Sequence, residues 1–345
     1  MTREPLAEPT KEVLQVPQED ETVKKIGNPG ARPDVVCLGL MPALQRTLVF
    51  RHVELGEVNR AVECHQTAGG KAVNLAVALA TLGTPARVTG FNGGATGRFV
   101  AAYVRARGIH PSFTPLAGPT RSCTTVIDAG AGVSTELIEE GPEPDAAAWT
   151  AFVSRNRRLA TQARLLAISG TLPPGMDEDF YTPFVQVATA ANVPVVIDSH
   201  SGGLLRILPY GPLLVKLNVR ELEKTCGTAC ADETAILDAA ERLRAEGANW
   251  VWVTQGGNPA YLIGACGAMR YDLPAIPVNN PIGSGDCAAA GFIHAWLANA
   301  DRVADAVRTG LGCGMANALT RVPAQFDPEQ AVRLAGRIRP SRING

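Results

Sequence analysis

Leu165-Leu166-Ala167-Ile168-Ser169, Val193-Pro194-Val195-Val196-Ile197-Asp198, Leu213-Leu214-Val215-Lys216-Leu217 and Trp250-Val251-Trp252-Val253-Thr254 are the four runs that decide the fold of this chain. Each has the length of a buried strand, and each follows a stretch of helical composition. Strands alternating with helices imply βαβ units, hence a mostly parallel central sheet with helices on both faces. Working outward, the first such run is Val35-Val36-Cys37-Leu38. Residues 1–33, rich in Glu, Lys and Pro without a sustained period, are expected to be a flexible tail. Residues 34–340 are expected to form a single domain. Ligands of parallel sheets bind beyond the carboxyl ends of the strands, so the informative loops are Gly170–Gly175, Asp198–Gly203, Asn218–Glu221 and the stretch from Gly256 onward.

Two segments break the alternation. Thr47 to Cys64 and Thr120 to Ile138 interleave β-branched with polar residues and lack a helical period. They predict antiparallel ribbons apart from the main sheet, a small β lid over the site spanning about 45–64 and 119–138.

Composition sets the class of partner. In 345 residues, 32 basic and 33 acidic side chains nearly cancel, so net charge gives no reason to expect nucleic acid or a membrane surface as partner. No apolar stretch is long enough to span a bilayer, and no signal-peptide pattern opens the chain, which predicts a cytoplasmic protein acting on a small molecule. The eight cysteines lack paired C-x-x-C spacing, and Cys226 with Cys230 has no second pair or nearby histidine, which argues for reduced thiols and against zinc. The five histidines form no metal-binding spacing.

Chemistry concentrates in two glycine motifs. In Ala68-Gly69-Gly70-Lys71-Ala72-Val73-Asn74, the apolar positions Val73, Ala76, Val77 and Ala80 recur at helical spacing, and Gly83 with Pro85 gives a stop. A helix therefore starts beside two glycines that let the backbone approach a ligand, with Asn74 in its first turn. A flexible loop before a core helix is the plainer alternative. The second motif, Asn279-Asn280-Pro281-Ile282-Gly283-Ser284-Gly285-Asp286, runs into the apolar helix Cys287-Ala288-Ala289-Ala290-Gly291-Phe292-Ile293. Small residues at a helix start leave unpaired amides, an anion site that suits phosphate. Gly283, Ser284 and Gly285 can then direct N–H groups at a transferred phosphoryl group, while Asp286 accepts the proton of the attacking hydroxyl. The helix dipole is expected to keep Asp286 ionised, near its ordinary pKa of about 4. Its plainer alternative is a helix cap.

Together the motifs resemble the two signatures of the PfkB, or ribokinase-like, family of carbohydrate kinases, from about Val35 to Val322. Pro42-Ala43-Leu44, Gly56-Glu57-Val58-Asn59-Arg60, Thr120-Arg121, Ser169-Gly170-Thr171-Leu172-Pro173-Pro174-Gly175, and Asn218 with Glu221 look like further landmarks in the family's order. Several are most similar to the branch of 1-phosphofructokinase and tagatose-6-phosphate kinase. The resemblance implies a ribokinase-like α/β fold with a β-sheet lid, ATP and Mg²⁺ as cofactors, and a sugar phosphate as substrate, fructose 1-phosphate before the others. It assigns Asp286 as base and the amides of Gly283 to Asp286 as the anion hole. It gives Gly69, Gly70 and Asn74 to the sugar hydroxyls, and Arg121, with Arg60 or Lys71, to a phosphate already on the substrate. Asn218 and Glu221 would organise the nucleotide phosphates, Glu221 meeting Mg²⁺ indirectly; Thr254, Gly256 and Asn317 would lie on the nucleotide side. A homodimer through the lid is the analogous assembly.

Four positions depart from the family pattern. Gln45 stands where an aspartate usually accepts from sugar hydroxyls, Cys123 where asparagine is frequent, Pro259 where glycine is usual in the nucleotide loop, and Cys287 where serine commonly follows the base. Two other classes compete. A dinucleotide oxidoreductase would need G-x-G-x-x-G after the first strand, and Cys37-Leu38-Gly39-Leu40-Met41-Pro42 lacks it. The altered Gln45 leaves open a non-catalytic sugar or nucleotide sensor built on the kinase fold, which has less need of an intact base, whereas Asp286 is present.

Overall fold

The computed structural model describes residues 35–170, 176–265 and 267–343. The expected N-terminal tail, and Thr171–Gly175 of the Ser169–Gly175 landmark, lie outside the described residues. The first half of the chain forms β1 (Val35–Leu38), β2 (Ala43–Phe50), β3 (Glu63–Gly69), α1 (Lys71–Thr81), β4 (Ala86–Asn92), α2 (Gly94–Arg105), β5 (His110–Pro115), β6 (Ser122–Asp128), β7 (Val133–Ile138), α3 (Ala146–Gln162) and β8 (Leu165–Ser169). There follow α4 (Thr182–Ala190), β9 (Val195–Asp198), α5 (Gly202–Ile207), β10 (Leu214–Asn218), α6 (Val219–Cys226), α7 (Glu233–Ala245), β11 (Trp250–Gln255), β12 (Asn258–Gly264) and β13 (Gly267–Asp272). The chain ends in α8 (Ser284–Ala298), α9 (Val303–Ala318), α10 (Pro328–Ala335) and β14 (Arg339–Ile343).

Ten strands build the main sheet in the order β14-β13-β12-β11-β10-β9-β8-β1-β4-β5. From β11 to β5 every pairing is parallel, and β12, β13 and β14 add an antiparallel extension. The four runs quoted at the outset are β8, β9, β10 and β11, side by side. All four residues of β1 and all five of β8 are buried, as expected of parallel strands covered on both faces, which carry continuous rather than alternating apolar sequence. One core, with Leu75, Leu79, Trp252, Phe292 and Leu311, lies under α1, α8, α9 and α10. The other, with Phe152, Phe184, Leu204 and Leu243, lies under α3, α4, α5 and α7. Burying each such side chain contributes roughly 1.5–3 kcal/mol before entropy is charged.

The two segments that broke the alternation form a separate four-stranded sheet in the order β3-β2-β6-β7. Its hairpins β2–β3 and β6–β7 are antiparallel, as the sequence predicts, but they meet along a parallel β2–β6 seam. Residues 51–62, placed within the first ribbon by sequence, form the loop between β2 and β3. Among the described residues no helix is long and apolar enough to cross a membrane.

Candidate active site

The parallel strands end on a cleft of about 1630 Å³. Gly39 after β1, Ser169 at the end of β8 and Gly170 after it, Asp198 at the end of β9, Asn218 at the end of β10, Thr254 near the end of β11 and Gly256 after it all line it. The small sheet supplies the opposite wall through Gln45, Cys123, Glu136 and Ile138, the side-chain row created by the Gln45–Cys123–Ile138 register. Topology thus brings together loops that are far apart in sequence.

The first glycine motif enters this space at the turn from β3 into α1. Gly70 has φ 96° and caps α1 without a side-chain bond; a Cβ there would lie 2.8 Å from the Met41 carbonyl oxygen, so only glycine fits. A Cβ on Gly69 would press on the Gln45 side chain at 2.9 Å. One turn into α1, Asn74 is buried and donates from Nδ2 to Asp286 Oδ2 at 2.8 Å. That bond links side chains 212 residues apart in sequence, on two helices that also pack in one core.

The second motif caps α8. Gly283 takes φ 79°, and no side chain satisfies the amides of the first turn. Ser284 N–H donates to Pro281 O at 3.2 Å and Cys287 N–H to Gly283 O at 2.9 Å, leaving those of Gly283, Gly285 and Asp286 without an acceptor among the described residues. These amides and the positive end of the helix make the pocket floor attractive to phosphate. A Cβ on Gly285 would stand 3.2 Å from Lys216 Nζ, so the glycine lets that ammonium close on the same point.

Asp286 itself is 5 % exposed. Burial and the neighbouring Asp198 carboxylate push it up to about 7, against the opposing pull of Lys71, the Asn74 bond and Lys216. The expectation of an ordinary carboxylate near 4, kept ionised by the helix dipole, is therefore corrected: desolvation outweighs the favourable charges. Asp198 goes the other way. Its burial would raise it, but Lys216 Nζ at 2.9 Å and Lys71 Nζ at 3.1 Å hold it well below the usual carboxylate range. Burial likewise opposes charge on Lys71, yet Asp198, Glu221 and Asp286 raise it above an ordinary lysine.

Asp198 and Lys216 were not among the candidate residues drawn from the sequence. Both carried a signal: Asp198 closes an apolar strand run, and Lys216 interrupts one whose neighbours Val215 and Leu217 are buried. Lys71, expected at a substrate phosphate, is instead engaged by Asp198 and, at 3.4 Å, by Glu221. Asn218 and Glu221 form a reciprocal capping box at the start of α6, Asn218 Oδ1 accepting from Glu221 N–H and Glu221 Oε2 from Asn218 N–H. Glu221 and Asp198 face the cleft through one shared lysine. Two carboxylates suit Mg²⁺, which takes few protein ligands and keeps its waters; a cluster of three or more potential ligands is absent among the described residues.

On the small-sheet side, Gln45 is buried and donates to Thr125 Oγ1 at 2.9 Å, which leaves its carbonyl oxygen beside Gly69. Arg121 lines the cleft, donates from Nη2 to Met41 O at 3.4 Å and keeps a buried Nε without a partner. Arg60 does not join it: it is exposed on the 51–62 loop, outside the cleft lining. Asn317 also departs from expectation. Its side chain is fully buried and its carboxamide is committed to the chain, donating to Ile282 O and Ser284 Oγ and accepting from Ala324 N–H, so it offers nothing to a nucleotide. The wall beside α9 is instead apolar, with Leu273, Ile276, Leu311 and Met315.

The chain matches the pfkB family carbohydrate kinase profile over residues 32–329. Its fold is similar to a Thermotoga maritima protein described as a possible 1-phosphofructokinase (22 % identity, TM-score 0.83, covering 90 % of this chain and 99 % of the other). It is also similar to Escherichia coli phosphofructokinase-2, solved as a tetrameric inhibited form (22 %, 0.79, 88 % and 98 %), and to Arabidopsis thaliana ribokinase in complex with ribose and ATP (18 %, 0.69, 88 % and 99 %). At these identities the structures establish the ribokinase-like fold, and the match along residues 32–329 establishes more: the chain belongs to the pfkB family of carbohydrate kinases, phosphotransferases that act on sugars.

Proposed function

We propose that residues 34–340 act as one ATP-dependent kinase unit with the small sheet as its lid, phosphorylating a hydroxyl of a sugar phosphate, fructose 1-phosphate giving fructose 1,6-bisphosphate. The observation that carries this reading is the buried Asp286 carboxylate, oriented by Asn74 and set beside the uncapped amides of α8, with the Arg121 guanidinium on the facing wall.

The roles follow from the chemistry of the positions. Phosphoryl transfer needs positioning and charge neutralisation more than covalent help. Asp286, poised near neutrality, accepts the proton of the attacking hydroxyl as its oxygen bonds to phosphorus. Amides of Gly283, Gly285 and Asp286, with Lys216 and Lys71 alongside, stabilise charge on the transferred group. Bound Mg²⁺ would supply further neutralisation of the phosphates, held by Glu221 and Asp198 directly or through water. Gly69, Gly70 and Gln45 face the sugar hydroxyls, and Arg121 meets the phosphate already on the sugar, a task suited to a planar donor fork. Thr254, Gly256 and the apolar wall of Leu273, Ile276, Leu311 and Met315 face the nucleotide.

Val133 and Leu137, on the face of the β7 edge strand opposite the cleft-lining Ile138, are each more than half exposed, which supports pairing of two chains through their lids. Sedimentation velocity returning a monomer at micromolar concentration would remove that part of the reading.

The test of the activity is ADP release with Mg·ATP and, separately, fructose 1-phosphate, fructose 6-phosphate, tagatose 6-phosphate, fructose and ribose, with Asp286→Asn as control. Turnover highest on fructose 1-phosphate and lost in the variant is the expected result. Turnover only on an unphosphorylated sugar would reassign Arg121, and none on any sugar would leave a sensor on the kinase fold.

A further inference from the structure

Asn317 lies on α9, remote in sequence from the phosphate-facing turn, and is fully buried. Its carboxamide commits both N–H donors to that turn and its oxygen to the neighbouring one. Nδ2 donates to Ile282 O at 2.9 Å and to Ser284 Oγ at 3.0 Å, while Oδ1 accepts from Ala324 N–H at 2.7 Å. The first two partners flank Gly283, the residue whose left-handed φ directs the amides of α8. The third fixes Ala324, which holds φ 61°, a conformation that costs an alanine on the order of 1 kcal/mol and persists only where the surroundings enforce it. The strained turn packs back on the same point: a Cβ on Gly283 would lie 3.1 Å from Pro323 Cβ, and Pro323 itself lines the cleft. Thr320 completes the frame: its hydroxyl lies 2.8 Å from Asn317 O and 2.9 Å from Val322 O, which share its one proton.

We propose that Asn317 is a positioning residue for phosphoryl transfer, holding the Pro281–Ser284 turn and the 320–324 turn in register so that the free amides of α8 converge on the transferred group. This rests on the reading of that turn as the anion hole. Orientation of the carboxamide is fixed by chemistry, since a carbonyl and a hydroxyl oxygen sit on its nitrogen side and an N–H on its oxygen side. Asn317→Asp keeps the size and the bond from Ala324 N–H but cannot donate to both Ile282 O and Ser284 Oγ. Asn317→Ala removes all three bonds.

The experiment measures kcat and KM for both substrates at 15 °C, well below the unfolding temperature, with melting curves recorded for every variant. Both variants are expected to lower kcat about 10²-fold, the cost of displacing reacting groups by about an ångström, with KM for the sugar within threefold of wild type. Coupling to Ser284 gives a second readout: Ser284→Ala combined with Asn317→Ala is expected to lose less than the product of the two single losses. A third is independent of turnover. Mg·ADP with aluminium fluoride, which places a flat anion where the phosphoryl group passes, should raise the melting temperature beyond Mg·ADP alone in wild type, and that increment should vanish in Asn317→Ala.

A kcat within threefold of wild type, a normal aluminium fluoride increment, or losses that only track the folded fraction would overturn the inference. Asp286→Asn separates the two levels. If it is inactive while Asn317→Ala is not impaired, Asn317 has no positioning role and the kinase reading with Asp286 as base stands; if Asp286→Asn is itself fully active, that reading fails.

Discussion

Replacing Asp286 by asparagine should abolish turnover and, at the same time, stabilise the protein. The carboxylate is raised from 3.8 to about 7 in the folded chain, so folding favours its protonated form. For a carboxyl raised in this way, the stabilising contribution is complete below about 4 and is lost as pH rises through about 7. At pH 8 the ionised side chain therefore carries its full burial penalty. A displacement of that size corresponds to about 4 kcal/mol, an upper bound because the buried charge relaxes its surroundings. Asparagine is nearly isosteric, still accepts from Asn74 Nδ2, and leaves Lys71 with Asp198 and Glu221. Unfolding entropy scales with chain length, so each kcal/mol is worth roughly 1–2 °C in a chain of this size. An increase in melting temperature of about 3–6 °C at pH 8 is expected, shrinking to about half at pH 5 as the wild-type carboxyl takes up a proton. Scanning calorimetry at the two pH values, with ADP release measured on the same samples, checks it. A variant that is inactive but melts at or below the wild-type temperature at pH 8 would refute the claim that Asp286 is held against an electrostatic cost.

The same shift sets the pH–rate profile: kcat/KM should fall about tenfold per pH unit below about 7, and a profile flat from pH 8 to 5.5 would show that Asp286 is not the titrating base. Arg121→Ala is expected to raise KM for a sugar phosphate about 10–100-fold, the worth of charge-assisted hydrogen bonds, while leaving KM for ATP within twofold; equal effects on both substrates would place Arg121 elsewhere in the cycle. Lys216→Met should destabilise by about 3 kcal/mol in urea unfolding, because Asp198 loses its 2.9 Å partner in a buried site, and a neutral outcome would mean that Lys71 alone suffices for Asp198.

What could be read in the sequence was whatever rests on local pattern. β1 and β8 are bounded by the residues expected, and β9, β10 and β11 lie within a residue or two of their apolar runs, because strands buried on both faces advertise themselves as continuous apolar sequence. Both helix starts after the glycine motifs were legible for a related reason: glycine pairs and helical spacing are adjacent in the chain. The parallel seam between β2 and β6 was not, since register between two hairpins depends on partners 78 residues apart and no local period encodes it. Asn317 was misplaced on the nucleotide side because a buried carboxamide that braces a turn and one that touches a ligand look alike in sequence. Arg60 was placed by its neighbours in a motif, and no residue of the exposed loop that carries it lines the cleft.

The least legible feature is the electrostatic division between Asp286 and Asp198, and it is the one that sets the chemistry. As letters in a sequence they are identical, and both are nearly fully buried. Lys216 and Lys71 contact Asp198 directly, at 2.9 and 3.1 Å, so it is ionised at any working pH. Asp286 is bonded to the neutral Asn74 amide and feels the same lysines only at longer range, together with the repulsion of Asp198 itself. Two carboxylates driven apart in this way acquire different tasks. A permanently charged Asp198 can hold cations at the phosphates but is too weak a base to take a proton. Asp286, raised toward neutrality by the very charge that Asp198 keeps, is the better proton acceptor. Removing Asp198 should therefore lower the pH at which activity begins to fall, besides weakening the hold on Lys216. A rise in that pH in Asp198→Asn would mean that loss of Asp198 frees Asp286 from more attraction than repulsion, and the division of roles would have to be reversed.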